Sequence, residues 1–129
     1  MLKAIKTLLK DNALVIALLC TVTILVGSLA SINTLVATIP VKLSDKSLHA
    51  MAYFLLALCW FFAMHNSRRI RVSLPVVAFS VIAFGMIVEA LQGGLTSYRE
   101  ADVYDILANS IGVFLAYLLF KLVLKNKQY

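Results

Sequence analysis

Residues 74–91, LPVVAFSVIAFGMIVEAL, are the stretch that decides the fold, because Glu89 is their only charged residue. At about 1.5 Å per residue, a helix of this length nearly covers the roughly 30 Å hydrocarbon core of a bilayer. The stretch lacks the alternation of a membrane β-strand, and a helix satisfies every backbone polar group inside lipid. It therefore predicts a transmembrane helix.

Three further apolar blocks of similar length occupy the rest of the chain. Of the 129 residues, 62% are hydrophobic and 14% are charged, which is too apolar for a soluble domain of this size. We predict an all-α integral membrane bundle of four transmembrane helices in a single domain over residues 1–129. The helices are expected at about residues 13–32, 47–64, 74–92 and 102–122, with Gly93-Gly94 ending the third.

Basic residues are distributed unevenly over the segments that join the blocks. The N-terminal lead, residues 67–73 and the C-terminal tail hold nine Lys and Arg, whereas the other two connectors hold three. The positive-inside rule therefore predicts that both termini are cytoplasmic. The basic clusters lack interleaved aromatic residues, so the net charge of +6 indicates a lipid bilayer as partner and no nucleic acid.

The first block also allows a second interpretation, since Ser28-Leu29-Ala30 resembles the cleavage site of a signal peptide. The apolar stretch continues past these small residues and is long enough to span a membrane, which favours an uncleaved helix.

The two cysteines, Cys20 and Cys59, lie inside apolar blocks without CxxC spacing. We interpret them as small apolar core residues, not as a disulfide pair.

Polar side chains within the blocks form the expected site, because each is costly to place in lipid. They recur at spacings of three or four residues, which places those of each block on one helical face. A carboxylate such as Glu89 costs about 2.5–3.5 kcal/mol near a helix centre, so it indicates a function. The predicted pocket residues are Asp45, Lys46, His49, Tyr53, Glu89, Gln92, Arg99, Asp105 and Asn109.

The polar side chains of the three helices are also expected at similar depths in the membrane. At about 1.5 Å per residue, His49, Gln92 and Asp105 are each expected within roughly 5 Å of the outer boundary. A second layer, which includes Glu89, is expected one turn deeper. Because three helices place polar groups at matched depths, we predict one shared pocket that faces outward.

Several of these residues also have a purely structural interpretation. Asp102 lies at a helix start, and together with Asp105 it resembles a capping box. Lys46 can extend its ammonium group toward the interface, and Gly112-x-x-x-Ala116 is typical of a packing seam between helices. Arg99 is the natural countercharge of Glu89 if its loop folds over the pocket.

The charge of the expected outer set limits its ligand. Five carboxylates and three cations give a formal charge of −2 with His49 neutral, whereas a phosphate site is normally positive. The pocket therefore protonates a carboxylate, binds a cation or receives a cationic or hydroxyl-rich ligand. His49, Glu89 and Asp105 offer mixed ligands to a divalent metal, but no local metal signature accompanies them. We therefore predict no metal site or cofactor, with a divalent cation as the open alternative.

These polar residues carry a resemblance to a known family. The segments concerned are Asp45-Lys46-x-x-His49-x-x-x-Tyr53, Glu89-x-x-Gln92 and Arg99-x-x-x-x-x-Asp105-x-x-x-Asn109-x-x-Gly112. Over about residues 40–120 they resemble, in order and spacing, the VanZ-like family of small bacterial membrane proteins. The chain departs from that pattern at Ala116, where a second glycine is common, and at Ser97-Tyr98, where many members have Pro-Gly.

The resemblance implies a multi-pass protein of the bacterial inner membrane, linked to glycopeptide susceptibility or envelope metabolism. It also favours Asp105 over Asp102 as the pocket aspartate. We expect the pocket to bind a lipid-linked wall precursor or a glycopeptide-like ligand. Whether the protein is an enzyme stays open; His49 would then be the general base, with Glu89 or Asp105 as acid or metal ligand. A third hypothesis is a carrier that uses Glu89 to move protons.

Overall fold

The structure, a computed structural model, describes residues 1–30, 45–95 and 101–127. These ranges contain helices and no strand, which confirms the all-α prediction. The elements are α1 (Leu2–Asp11), α2 (Ala13–Leu29), α3 (Asp45–Asn66), α4 (Leu74–Leu95) and α5 (Val103–Lys127).

Three of these helices, α3, α4 and α5, are each long and apolar enough to cross a membrane. The pair α1 and α2 meets the same criterion only together, across a bend of 66°, so the described residues provide three spans or up to four. Many large apolar side chains on the helices are exposed, as expected of surfaces that face lipid. The chain is a membrane protein, while the count of four spans and the side of the termini stay predictions.

The centre of the bundle is the contact between α3 and α5, where small residues bring the two backbones together. Ala116 is fully buried, and a Cβ placed on Gly112 would collide with the carbonyl oxygen of Ala50 on α3. The packing seam predicted from Gly112-x-x-x-Ala116 is therefore confirmed. Around it the core is completed by buried apolar side chains from three helices: Leu56, Phe61, Val77, Val81 and Val113.

Several helix ends differ from the expected ones: α3 is two residues longer at each end, and α5 continues to Lys127, past the expected residue 122. α2 ends at Leu29, before the expected residue 32, because Ala30 takes an extended backbone conformation. The expectation that Gly93-Gly94 ends the third helix is wrong, because α4 continues to Leu95 and neither glycine has a positive φ. A Cβ on Gly93 would lie 2.9 Å from the backbone nitrogen of Ala101, so this glycine permits a close approach of two chain segments.

The two cysteines lie against each other between α2 and α3. Their Sγ atoms are 3.8 Å apart and both thiols are free. The sequence did not indicate this proximity, because the residues are far apart in the chain and belong to different blocks. The nearby hydrogen bond from Trp60 Nε1 to Thr21 Oγ1, 2.9 Å long, ties the same two helices together.

We expect copper-phenanthroline to convert this thiol pair to an intramolecular disulfide in the membrane-embedded protein. The two thiols would lose two protons and pass two electrons to copper(II), since only a small approach separates the sulfurs from bonding distance. Mass spectrometry of the alkylated chain would detect the loss of two reactive thiols, with Cys20→Ala as the control. If both thiols still alkylate after oxidation, the contact between α2 and α3 is wrong.

Candidate functional site

A cluster of polar side chains is buried at one end of the bundle, where α3 and α5 begin and α2 and α4 end. We call this the polar end, and it is the end that the charge distribution predicts to be outside. The buried polar side chains among the described residues all lie here: Glu89, Gln92, Asp105 and Asn109. Each comes from a position at which sequence reasoning expected a site residue.

Lys46 on α3 connects the surface of this cluster to its interior. Its ammonium group donates to Asp102 Oδ2 at 2.5 Å and also to Asp105 Oδ1. The side chains of Lys46 and Asp102 are 42% and 41% exposed, whereas that of Asp105 is 3% exposed. The interfacial interpretation of Lys46 is therefore incomplete, because its charge also compensates a buried carboxylate.

His49, one turn further along α3, contacts two side chains on the matching face of α5. Its Nδ1 lies 3.2 Å from Asn109 Oδ1, and its Nε2 lies 3.7 Å from Asp105 Oδ2. In the tautomer that is protonated at Nδ1, this atom donates to the amide oxygen of Asn109. In that neutral tautomer Nε2 is an acceptor beside the Asp105 carboxylate, whereas a protonated ring would form an ion pair with it.

Glu89 on α4 holds the first turn of α5 in place. Its Oε1 accepts a hydrogen bond of 2.7 Å from the backbone N–H of Asp102, and Asp102 Oδ1 accepts one of 2.8 Å from Tyr104. The prediction that Asp102 caps this helix is confirmed. Glu89 takes the role that a capping box would give to Asp105. Its carboxylate therefore reaches the level at which α5 begins, nearer the boundary than the expected deeper layer.

Gln92 joins the cluster to α2, which the sequence had indicated only as a supporting helix. Its Nε2 donates to the backbone carbonyl of Ser28 at 2.8 Å. A carbonyl near the end of a helix has no intrahelical partner, so it is a natural acceptor. Sequence reasoning could not identify Ser28, because a backbone carbonyl leaves no trace in residue type.

Tyr53 lies below His49 on α3, and only 2% of its surface is exposed. A Cβ on Gly85 of α4 would lie 3.0 Å from the Tyr53 ring and 3.1 Å from Asn109 Nδ2. The absence of a side chain at Gly85 therefore leaves room for both of these polar side chains, a role that sequence reasoning missed. Within the described ranges the buried Tyr53 hydroxyl has no hydrogen-bond partner, although buried hydroxyls normally have one.

Two predicted site residues lie outside what the structure describes. The side chain of Asp45 and the whole of Arg99 belong to this group, so the predicted pairing of Arg99 with Glu89 stays a prediction. Asp102 also belongs to the cluster, although the resemblance favoured Asp105 over it as the pocket aspartate. The role of every predicted residue in binding a ligand also stays a prediction.

The described cluster is acidic. Glu89, Asp102 and Asp105 provide three carboxylates against the one ammonium group of Lys46, a formal charge of −2 with His49 neutral. In the part of the chain that the structure describes, no group of three or more His, Cys, Asp or Glu side chains is arranged to hold a metal ion. The arrangement thus offers mainly hydrogen-bond acceptors, which suits ligands that bring donors.

Comparison with known proteins places the chain in a family. The profile described as VanZ/LLP1 matches residues 13–124. The chain belongs to the VanZ/LLP1 family. The resemblance inferred from the polar residues is therefore confirmed, and the family match includes the whole polar cluster but not α1.

A relative in the fission yeast Schizosaccharomyces pombe is 38% identical over 81 residues. The aligned segment covers 63% of this chain and 49% of the relative, which is described only as an uncharacterized protein. The chain thus matches about half the length of this relative. Because the relative is eukaryotic, a bacterial inner membrane stays a prediction. No solved structure matches the chain significantly.

Proposed function

We propose that this VanZ/LLP1 protein binds a cationic or hydroxyl-rich head group at its polar cluster. Four spans with both termini in the cytoplasm would place the cluster at the outer face of the membrane. The observation that carries the proposal is the pairing of His49 Nε2 with Asp105 Oδ2 at 3.7 Å, inside an acidic cluster. A hydroxyl or ammonium group that donates to Asp105 Oδ2, and to Nε2 in the tautomer protonated at Nδ1, would bridge the two side chains.

Burial supports the proposal further. The Asp105 carboxylate lies within the bundle but connects to the surface through the half-exposed Lys46 and Asp102. A head group could approach along this route and exchange contacts with Lys46. The buried Tyr53 hydroxyl, one turn below His49, would offer a further polar contact to a group that reaches past the imidazole.

The ligand class that fits best is a lipid-linked precursor of the cell envelope, with a glycopeptide-like molecule as the second possibility. Both bring hydroxyl and amine donors, and a lipid-linked molecule already lies at the depth of the cluster. In a bacterial inner membrane, sequestering such a precursor would alter glycopeptide susceptibility. This extension is supported by the family resemblance and by the acceptor-rich cluster.

The proposal is tested by lipid co-purification. The full chain and the variants Glu89→Gln and His49→Ala would be extracted in mild detergent and their bound lipids quantified by mass spectrometry. We expect one hydroxyl- or amine-bearing lipid class to be retained by the native chain and reduced about tenfold or more in His49→Ala, since a hydrogen bond to a charged group contributes about 1.5–3 kcal/mol.

A matched control is Ser80→Ala on α4, because among the described residues the exposed Ser80 hydroxyl donates to the Val76 carbonyl of its own helix. This variant should retain lipid at the native level. If His49→Ala and Glu89→Gln retain the same lipids as Ser80→Ala while remaining folded, binding at the cluster is contradicted.

A membrane-embedded enzyme that acts on an envelope substrate is the second function, favoured by the contact between His49 and Asp105. A carboxylate beside an imidazole can stabilise its protonated form during proton transfer. Time-dependent conversion of the co-purified lipid by the native chain, lost in Asp105→Asn, would support this reading. A lipid that stays unchanged over time would leave binding as the function.

A further inference from the structure

The helix α1 at the opposite end of the bundle divides into an apolar and a basic half. Successive residues turn by about 100° around a helix axis. On that basis Lys3, Lys6 and Lys10 fall within one half of the circumference, together with Thr7 and Asp11. The apolar residues Leu2, Ala4, Ile5, Leu8 and Leu9 occupy the other half.

The apolar half of α1 is not covered by the rest of the described chain. No residue of α1 is buried, and Leu2 and Leu8 are 68% and 62% exposed. A protein surface in water would rarely leave so many large side chains open on one short helix. The helix also lies outside the residues that match the family.

A defined bend at Asn12 separates α1 from α2. The backbone N–H and the side-chain Nδ2 of Asn12 both donate to the carbonyl of Leu8, at 3.1 and 2.8 Å. α1 ends because the backbone of Asn12 leaves the helical conformation, with φ −107° and ψ 11°, and α2 leaves at 66°. Because the seventeen residues of α2 rise about 26 Å, α2 nearly crosses the roughly 30 Å core without α1.

The end of the bundle that carries α1 is strongly basic. Arg68, Arg69 and Arg71 lie between α3 and α4 at this end, and Lys121 and Lys125 lie near the end of α5. The contact of His65 with Phe120, with ring centroids 5.7 Å apart, shows that α3 and α5 end side by side. Together with the lysines of α1, the described residues place eight cations here, and this set we call the basic end.

From these observations we propose that α1 lies in the head-group layer of an anionic phospholipid leaflet. Its leucines and isoleucine enter the boundary of the acyl chains, and its three lysines contact lipid phosphates. An amphipathic helix with a cationic polar face binds such surfaces through apolar burial and electrostatic attraction together. The Arg residues of the basic end extend the same attraction across the bundle. This inference is independent of the ligand proposed for the polar end.

The test uses spin labels at two positions of α1 in the full chain with both native cysteines replaced by alanine. Ile5→Cys reports on the apolar half and Thr7→Cys on the polar half, about 160° away. The labelled proteins would be placed in nanodiscs of phosphatidylcholine with phosphatidylglycerol. Collision with oxygen, which concentrates in lipid, is compared with collision with a water-soluble nickel chelate. We expect the Ile5 label to favour oxygen and the Thr7 label to favour nickel.

The charge dependence is tested with the variant Lys3→Gln/Lys6→Gln/Lys10→Gln. Because each lysine near an anionic surface favours binding about fivefold, the Ile5 label should become several-fold more accessible to nickel in this variant. In nanodiscs of phosphatidylcholine alone, the Ile5 label of the chain with its native lysines should become more accessible to nickel to the same extent. Thermal unfolding of the bundle should not change, since α1 contributes no buried residue.

Two outcomes would overturn the proposal. If both labels favour nickel equally in anionic nanodiscs, α1 lies in water. If both favour oxygen and the lysine variant has no effect, α1 continues into the membrane as part of a bent span. As a positive control on geometry, Asn12→Leu removes the side-chain hydrogen bond to the Leu8 carbonyl at the bend and should reduce the contrast between the two labels.

Discussion

Replacing Gly112 with alanine is expected to destabilise the protein more than any other single methyl addition at a glycine. The new Cβ would overlap the carbonyl oxygen of Ala50 and would lie 3.1 Å from the backbone nitrogen of Phe54. Backbone atoms cannot rotate away, so α3 and α5 must separate along their whole contact. Overpacking of this kind costs about 1–3 kcal/mol or more. We therefore expect Gly112→Ala to have a lower midpoint of thermal unfolding than the native chain, measured in detergent.

Gly27→Ala on α2 is the matched control, because a Cβ there meets nothing within 4 Å. Alanine favours helices over glycine by about 1 kcal/mol, so this variant should be neutral or slightly stabilised. If Gly112→Ala unfolds at the same temperature as Gly27→Ala, the packing of α3 on α5 described above is incorrect.

Replacing Lys46 with methionine is the second change for which we expect a large effect. The Asp105 carboxylate is 3% exposed and would lose the cation that compensates it. A buried charge left without its partner is strongly destabilising, or it is neutralised by taking up a proton. Lys46→Met should therefore lower the thermal midpoint and the yield of folded protein, whereas Asp105→Asn alone should do less, since Lys46 still contacts Asp102.

The decisive comparison is the double variant Lys46→Met/Asp105→Asn, which removes both charges. Because the penalty arises from an uncompensated carboxylate, the double variant should recover most of the stability lost in Lys46→Met. Lys125→Met, at an exposed position near the end of α5, is the control for loss of a lysine. A double variant as unstable as Lys46→Met would mean that Asp105 is not the group that Lys46 compensates.

The polar cluster illustrates which parts of a site a sequence can predict. A spacing of four residues placed His49 and Tyr53 on one helical face, and likewise Asp105 and Asn109, because helix geometry is the same in every protein. The contacts between these faces needed the packing of α3 on α5. The sequence also did not predict that Gly85 leaves room for Tyr53 and Asn109, because the importance of a missing side chain depends on which residues lie beside it.

The sequence by itself determined that this is an all-α membrane protein with polar residues gathered toward one end. Lipid imposes that outcome, because long apolar stretches must be helical and each intramembrane charge is costly. Only the tertiary structure decided that Glu89 accepts the backbone N–H of Asp102, that Gln92 bonds to α2 and that Cys20 touches Cys59. Each of these depends on the rotation and separation of packed helices, which small residues such as Gly112 set and which no local pattern records. Residues 74–91 thus predicted a helix, whereas a hydrogen-bond partner of Glu89, their single carboxylate, could be identified only from the tertiary structure.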